Sequence, residues 1–331
     1  MKEALFWQTV SDDKIECGLC PHHCRLADGK RGLCGVRLAR AGKLYAAGYG
    51  LISSVQNDPI EKKPLYHFHP GAHIFSVGGW GCNFKCRFCQ NWSISQQVDF
   101  NGSSILPEKI VAAAKTEKSA GIAYTYNEPL INFEFIAECA RLARESGLVN
   151  VLVTNGCIEK KPAEFILPMI DALNIDIKSM DEEFYKEQCA GALKTVLEFS
   201  KQAVTAGCHV EITNLVIPGL NDADKQIQRL AEWVRSSLGG KTPLHLSAYH
   251  PEFKMDLPPT PQETLERAYR LCKEKLPYVY IGNVFSDSGQ NTLCPQCGNT
   301  LIIRRGHSAR LVGLKDNNCA KCGRLVDIVL A

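Results

Sequence analysis

From residue 73 to 283 the chain alternates short apolar segments with amphipathic ones, and that alternation limits the fold more than any other feature. The segments "HIFSV", "GIAYTY", "NVLVT", "ALNIDIK", "HVEITNLVI", "PLHLSAY" and "YVYIGN" are rich in β-branched or aromatic residues, as buried strands are. Between most of them run helical stretches with readable ends. Pro107 opens "PEKIVAAAKTEKSAG", Gly147 closes "FIAECARLARESG", Gly207 closes "LEFSKQAVTAG", and Pro261 opens "PQETLERAYRLCKEKL". Strands and helices in turn predict parallel strands joined by right-handed crossovers. Seven such strands are too few for a closed eight-stranded barrel, so the expected architecture is α/β, a partial (open) β/α barrel.

Ligands of such folds lie at the carboxyl ends of the strands. The polar residues gather there: "TYNEP" after the second strand, "TNG" after the third, "DIK" ending the fourth, "PGLND" after the fifth and "SAYH" closing the sixth. Any one of these is an ordinary loop; their repetition on one rim predicts an active site.

The 16 cysteines need a different reading from disulfides. Residues 1–16 lack a basic stretch followed by an apolar run, and no apolar stretch approaches the roughly 18 residues of a membrane span. A cytoplasmic protein without membrane attachment is expected, and that compartment keeps thiols reduced. The net charge of +3, from 38 basic and 35 acidic residues, gives no electrostatic case for a nucleic-acid partner. The cysteines therefore read as metal ligands or buried apolar groups. Cys139, Cys157, Cys189, Cys208 and Cys272 are scattered singly and are expected to be small buried hydrophobes, with Cys157, just after "TNG", the least settled.

The rest form three clusters. Cys294, Cys297, Cys319 and Cys322 make two C-x₂-C knuckles 21 residues apart, "CPQCG" and "CAKCG", a zinc-ribbon or rubredoxin-like pattern. A structural zinc is expected there, with iron for electron transfer as the other reading. Cys17, Cys20, Cys24 and Cys34, spaced C-x₂-C-x₃-C-x₉-C, form a second metal site for zinc or an iron–sulfur cluster. His22 and His23 are competing ligands there, though expected in a solvent-facing loop because four thiolates already complete a shell. Cys82, Cys86 and Cys89, in "GGWGCNFKCRFCQNW", leave the first strand at the polar rim. Their C-x₃-C-x₂-C spacing suits zinc knuckles poorly, whereas iron–sulfur clusters accept close, irregular thiolates, and three ligands leave one iron of a cubane free.

This last loop, with Phe88 before Cys89 and "FCQN" at 88–91, resembles the hallmark motif of radical S-adenosylmethionine enzymes. Together with "DPIEKKPLYHFHPG", "TYNEP", "DIK" and "SAYHP", the chain resembles the branch related to pyruvate formate-lyase activating enzyme. The outer cysteine clusters make it resemble, over essentially its whole length, the radical enzyme of the AmmeMemoRadiSam system. The resemblance implies a [4Fe–4S] cluster on Cys82, Cys86 and Cys89 with Phe88 packed over it, and S-adenosylmethionine as the fourth iron ligand. It implies that Asn127 and Glu128 meet the amino group of S-adenosylmethionine, although the glycines usual in that segment are missing. Asp176 and Lys178 would hold its carboxylate or ribose, and Ser247 and His250 of "SAYH" would lie on the ribose side. No catalytic residue is assigned beyond these.

The implied reaction is reductive cleavage of S-adenosylmethionine to a 5′-deoxyadenosyl radical that takes hydrogen from a small-molecule or protein substrate. The implied partners are a flavodoxin- or ferredoxin-like electron donor and the Memo-like and AMMECR-like companion proteins that name the system. Activation of a glycyl-radical enzyme is the nearest competing reading. An iron–sulfur or zinc protein for electron transfer or assembly, without radical turnover, is the competitor from another class. The expected modules are an N-terminal Cys-rich metal-binding module (1–70), the barrel (71–287) and a C-terminal zinc-ribbon-like module (288–331).

Overall fold

The computed structural model describes residues 1–11, 14–284 and 288–331. Residues 286 and 287 of the "SDSGQN" turn, on which the 287/288 boundary rests, lie outside the described residues.

All seven expected strands form and lie side by side in chain order, parallel throughout, from His73–Gly78 at one side to Val279–Gly282 at the other. An eighth strand, Ser54–Pro59, pairs antiparallel with His73–Gly78, so the sheet has one more strand than the apolar pattern predicts. The reason is local. "SVQNDP" occupies a sheet edge, Val55 is exposed, and an edge strand wetted on one face carries no run of apolar residues. The two outer strands are not paired to each other, and the barrel is open.

The helices begin and end where punctuation put them. Pro107 is the first residue of Pro107–Thr116, Pro261 precedes Gln262–Lys273, and Gly147 and Gly207 take the left-handed conformations that stop Phe133–Glu145 and Leu193–Thr205. The central strands are buried on both faces, as parallel strands under helices are. Among the described residues, no helix is long and apolar enough to cross a membrane.

The flanking modules attach at opposite ends of the barrel. The N-terminal one is two three-stranded antiparallel sheets whose core, including Ile15, Leu19 and Leu44, is continuous with that of the barrel. Its anchor is Arg37, 1% exposed, which donates to Glu134 Oε1 at 2.8 Å and to the Ile131 carbonyl at 3.1 Å. Both partners follow the Gly121–Tyr124 strand, on the rim side. The C-terminal module has a small core of its own and seats on the amino ends of the strands. There Arg304 donates to the Tyr66 carbonyl (2.6 Å), and the Tyr278 hydroxyl donates to Asp327 (2.8 Å).

Candidate active site

The loop after His73–Gly78 carries Cys82, Cys86 and Cys89 onto the rim, and its shape is held by two side chains from other strand ends, Asn127 and Asn155, and by backbone carbonyls. Asn127 accepts from the Gly79 N–H (3.0 Å) and donates to the Gly81 carbonyl (2.9 Å), locking the chain just before Cys82. Asn83 is buried; its amide donates to the Cys157 carbonyl at 2.7 Å and accepts from Asn155 Nδ2 at 2.9 Å. From the other side, the Lys85 and Arg87 N–H groups donate to the carbonyls of Cys189 and Gln188.

The sulfurs are supplied with donors. Cys82 Sγ accepts from the Phe84 N–H (3.3 Å) and from Asn155 Nδ2 (3.7 Å), and Cys89 Sγ lies 3.1 Å from Ser95 Oγ. Phe88 is buried in contact with the Phe184 ring, closing one side. The Cys86 thiol is pushed well above its usual range by its hydrogen bond with Cys189 and by burial, while the Lys178 ammonium pulls the other way. Lys178 acts in the same sense on Cys89.

Asp176 and Lys178 meet in an ion pair of 2.8 Å, and Ile177 between them is fully buried. Their strand ends at Asp176; Lys178 stands beyond it, its carbonyl held by Asn221 Nδ2 at 2.7 Å and its N–H by the Tyr185 hydroxyl at 2.9 Å. Although burial disfavours its charge, Asp176 holds Lys178 firmly protonated.

Glu128 is buried just past Gly121–Tyr124, the strand next to His73–Gly78. Its Oε1 accepts from the Leu130 N–H (3.0 Å) and Thr154 Oγ1 (2.7 Å), and its Oε2 from the Asn155 N–H (2.8 Å). Burial outweighs these donors and raises its pKa to about 7. Ser247 lies on the half-buried rim near Gly282, and His250 is exposed, with Nε2 3.2 Å from the Asn283 carbonyl.

The structure thus places Cys82, Cys86, Cys89, Asn127, Glu128, Asp176, Lys178, Ser247 and His250 at the carboxyl ends of the first, second, fourth and sixth parallel strands. Asn155 and Ser95 were missed as individual residues, although "TNG" marked the first by its place after a strand. Nothing in the local sequence marks Ser95, because its role depends on a short helix, Trp92–Ser95, folding back on Cys89.

The sulfurs of Cys82, Cys86 and Cys89 do not all lie within 4.8 Å of one another. A single zinc with Zn–S near 2.3 Å would need neighbouring sulfurs about 3.8 Å apart. The three sulfurs as placed do not make such a site, whereas an iron–sulfur cubane takes its thiolates at separate corners. The tail is the opposite case. Cys294, Cys297, Cys319 and Cys322 have all four sulfurs within 4.8 Å, with two Sγ–Sγ separations of 3.7 Å, and make a four-cysteine metal-binding site. There, against the upward push of burial, the N–H groups of Cys322 and Lys321 hold the Cys319 thiol down at about 6.

Of the scattered cysteines, Cys139, Cys157, Cys189 and Cys272 are buried, and Cys208 is half-buried with its thiol 3.2 Å from the Ile170 carbonyl. Cys157 and Cys189 do more than fill space, since their carbonyls anchor the cysteine loop.

Glu128→Ala should lower stability by about 1–3 kcal/mol, because it strands two buried N–H groups and a hydroxyl, with Glu128→Gln costing less. The folded pKa lies above the ordinary 4.5, so the native state favours the protonated form. That contribution is full below pH 4.5 and lost as pH rises through about 7, and Glu128→Gln should flatten this part of the stability profile. Denaturant unfolding across that range reads both effects.

An open parallel barrel whose first parallel strand delivers three spread thiols to a rim with a buried carboxylate and an acid–lysine pair defines a class: an enzyme built around an iron–sulfur cluster. Residues 78–232 match the sequence profile of the Radical SAM superfamily, and that part of the chain is a Radical SAM domain. Over its full length the chain is 46% identical to Uncharacterized protein MJ0808 of Methanocaldococcus jannaschii, with 100% of both chains covered. It is 25% identical over 212 residues to pyruvate formate-lyase 1-activating enzyme of Escherichia coli, covering 59% of this chain and 86% of that one. A crystal structure of a radical SAM methyltransferase from Sphaerobacter thermophilus superposes with TM-score 0.52 at 16% identity, covering 70% of this chain and 71% of that one. That likeness concerns the fold alone.

Proposed function

We propose that this chain cleaves S-adenosylmethionine reductively and uses the product radical to take hydrogen from a small-molecule or protein substrate. The observation that carries the reading is the loop that brings Cys82, Cys86 and Cys89 to the rim without drawing their sulfurs into a single-ion site, with the Asp176–Lys178 ion pair at another strand end of the same rim. When bound, a [4Fe–4S] cluster supplies the single electron that splits the sulfonium into methionine and a 5′-deoxyadenosyl radical.

The chain's own groups hold and shield. Cys82, Cys86 and Cys89 ligate the cluster, and Phe88 with Phe184 keeps water from one face. Glu128 Oε2, which accepts one hydrogen bond within the chain, is the atom left to receive the amino group of S-adenosylmethionine. Asn127 positions the Gly79–Gly81 backbone beneath it. Asp176 and Lys178 take the carboxylate or ribose, with Ser247 and His250 on the ribose side. A flavodoxin- or ferredoxin-like protein would supply the electron.

Membership of the AmmeMemoRadiSam system, with Memo-like and AMMECR-like companions, is supported by the N-terminal and C-terminal cysteine patterns around the barrel. The relationship to pyruvate formate-lyase 1-activating enzyme favours a second reading, activation of a glycyl-radical enzyme. For the tail we propose zinc. The 3.7 Å sulfur separations suit it, and the module sits on the amino ends of the strands, away from the cysteine loop.

Asp176→Ala and Lys178→Ala should each leave cluster content intact and weaken S-adenosylmethionine binding. Loss of one hydrogen bond to a charged group costs about 1.5–3 kcal/mol, or roughly tenfold to a hundredfold in Kd. Equilibrium binding with the exposed-site control Glu145→Ala checks this; affinities equal to the control would remove both residues from the binding site.

A further inference from the structure

We propose that Cys17, Cys20, Cys24 and Cys34 form the site of a second [4Fe–4S] cluster, beside the first, rather than of a single zinc ion. This does not depend on the substrate proposed above. The four cysteines line one recess together with Leu19, His22, Arg37 and Ile131.

Sulfur spacing separates the two kinds of site. In the tail all four sulfurs lie within 4.8 Å of one another, as one tetrahedral ion requires. Among the N-terminal cysteines no three sulfurs do. A cubane binds each thiolate at a different corner and so holds its ligands farther apart than the edge of a single-ion tetrahedron. The N-terminal set shares that spread with Cys82, Cys86 and Cys89.

The surroundings suit a cluster too. Every sulfur faces a backbone donor: Leu19 for Cys17, His22 for Cys20, Leu33 (3.5 Å) for Cys24, and Val36 and Arg37 for Cys34. Such bonds stabilise thiolates at either kind of site, the tail's included, so it is the sulfur spacing that distinguishes the two. Arg37 brings a buried positive charge to the recess. Its Nη1 and Nε are taken by Glu134 and the Ile131 carbonyl, while its Nη2 has no hydrogen-bond partner among the described residues. Glu134 balances the guanidinium charge, and the unpartnered Nη2 N–H is a buried donor that a cluster sulfur would satisfy. The histidines are otherwise engaged, His22 Nε2 with the Asn83 carbonyl at 2.7 Å and His23 with Glu159 at 3.2 Å.

The two cysteine loops touch. His22 reaches the residue after Cys82, and a Cβ on Gly81, the residue before it, would run into the Cys34 carbonyl oxygen. The second cluster would be the immediate neighbour of the first.

The test uses the full chain, reconstituted anaerobically with iron and sulfide. A variant with Cys82, Cys86 and Cys89 all changed to Ala, which leaves the N-terminal thiols untouched, should retain about half the wild-type acid-labile sulfide. It should show a [4Fe–4S] Mössbauer signature indifferent to S-adenosylmethionine. Sulfide falling to zero, with a second zinc per chain, would overturn the assignment. In the complementary experiment, Cys20→Ser and Cys24→Ser, both at half-buried positions, should halve sulfide while the remaining signal still responds to S-adenosylmethionine. Undiminished sulfide in these variants would equally overturn it. Should they fail to fold, the triple variant decides. Failure of the radical reading would look different, as a wild-type cluster signal that ignores S-adenosylmethionine.

Discussion

Replacing Cys82, Cys86 and Cys89 together by alanine should reduce the cleavage of S-adenosylmethionine under dithionite to the level seen without protein. The loss is complete rather than graded because the three thiols are the ligands the chain contributes at that rim. The asparagines and serine around them, Asn83, Asn155 and Ser95, bond to backbone and to sulfur and supply no soft ligand in their place. The barrel should survive, since the loop is also held by backbone bonds to Cys189, Gln188 and Asn127 that do not involve sulfur. Formation of 5′-deoxyadenosine, together with far-UV circular dichroism, separates loss of the cluster from loss of the fold; wild-type cleavage by the triple variant would show that the cluster lies elsewhere.

The second large effect is in the tail. Stripping its metal, or Cys297→Ser, should release the residues after about 288 while the barrel stays folded. The module's own core consists of little beyond Leu301, Ile302, Val326, Ile328 and the cysteines themselves. So small an apolar core does not order such a chain length without a staple, and a structural zinc supplies about 10–16 kcal/mol of apparent binding free energy. Its docking contacts, Arg304 to Tyr66 and Asp327 to Tyr278, should go with it. Limited proteolysis before and after chelation shows the change, and a tail equally resistant without metal would contradict it.

The barrel was legible because parallel strands under helices must be apolar on both faces, and proline and glycine mark the helix ends. The edge strand Ser54–Pro59 was not, because half-wetted edge residues have no reason to be apolar. The rim was legible as a place, because polar clusters recur at strand ends, and spacing along the chain put three cysteines in the loop that leaves the first parallel strand there. The partners of those cysteines were harder. Asn155 reaches Cys82 across 73 positions, and Cys189 stands against Cys86 from the end of a short helix, Tyr185–Cys189, more than 100 residues on. Such contacts follow from the register of strands in the sheet, which a single sequence does not print. His22 shows the same limit, expected in a solvent-facing loop yet half-buried and bonded to the carbonyl beside Cys82. The contrast between tight tail sulfurs and spread N-terminal ones is likewise a property of space and not of spacing.

The central claim is that S-adenosylmethionine binds directly to a cluster held by Cys82, Cys86 and Cys89. Electron paramagnetic resonance of the anaerobically reconstituted, dithionite-reduced protein tests it with and without S-adenosylmethionine. The expected result is a reduced [4Fe–4S] signal whose shape and g values change on addition, since the amino and carboxylate groups enter the coordination of one iron. A signal unchanged at saturating S-adenosylmethionine would contradict the account.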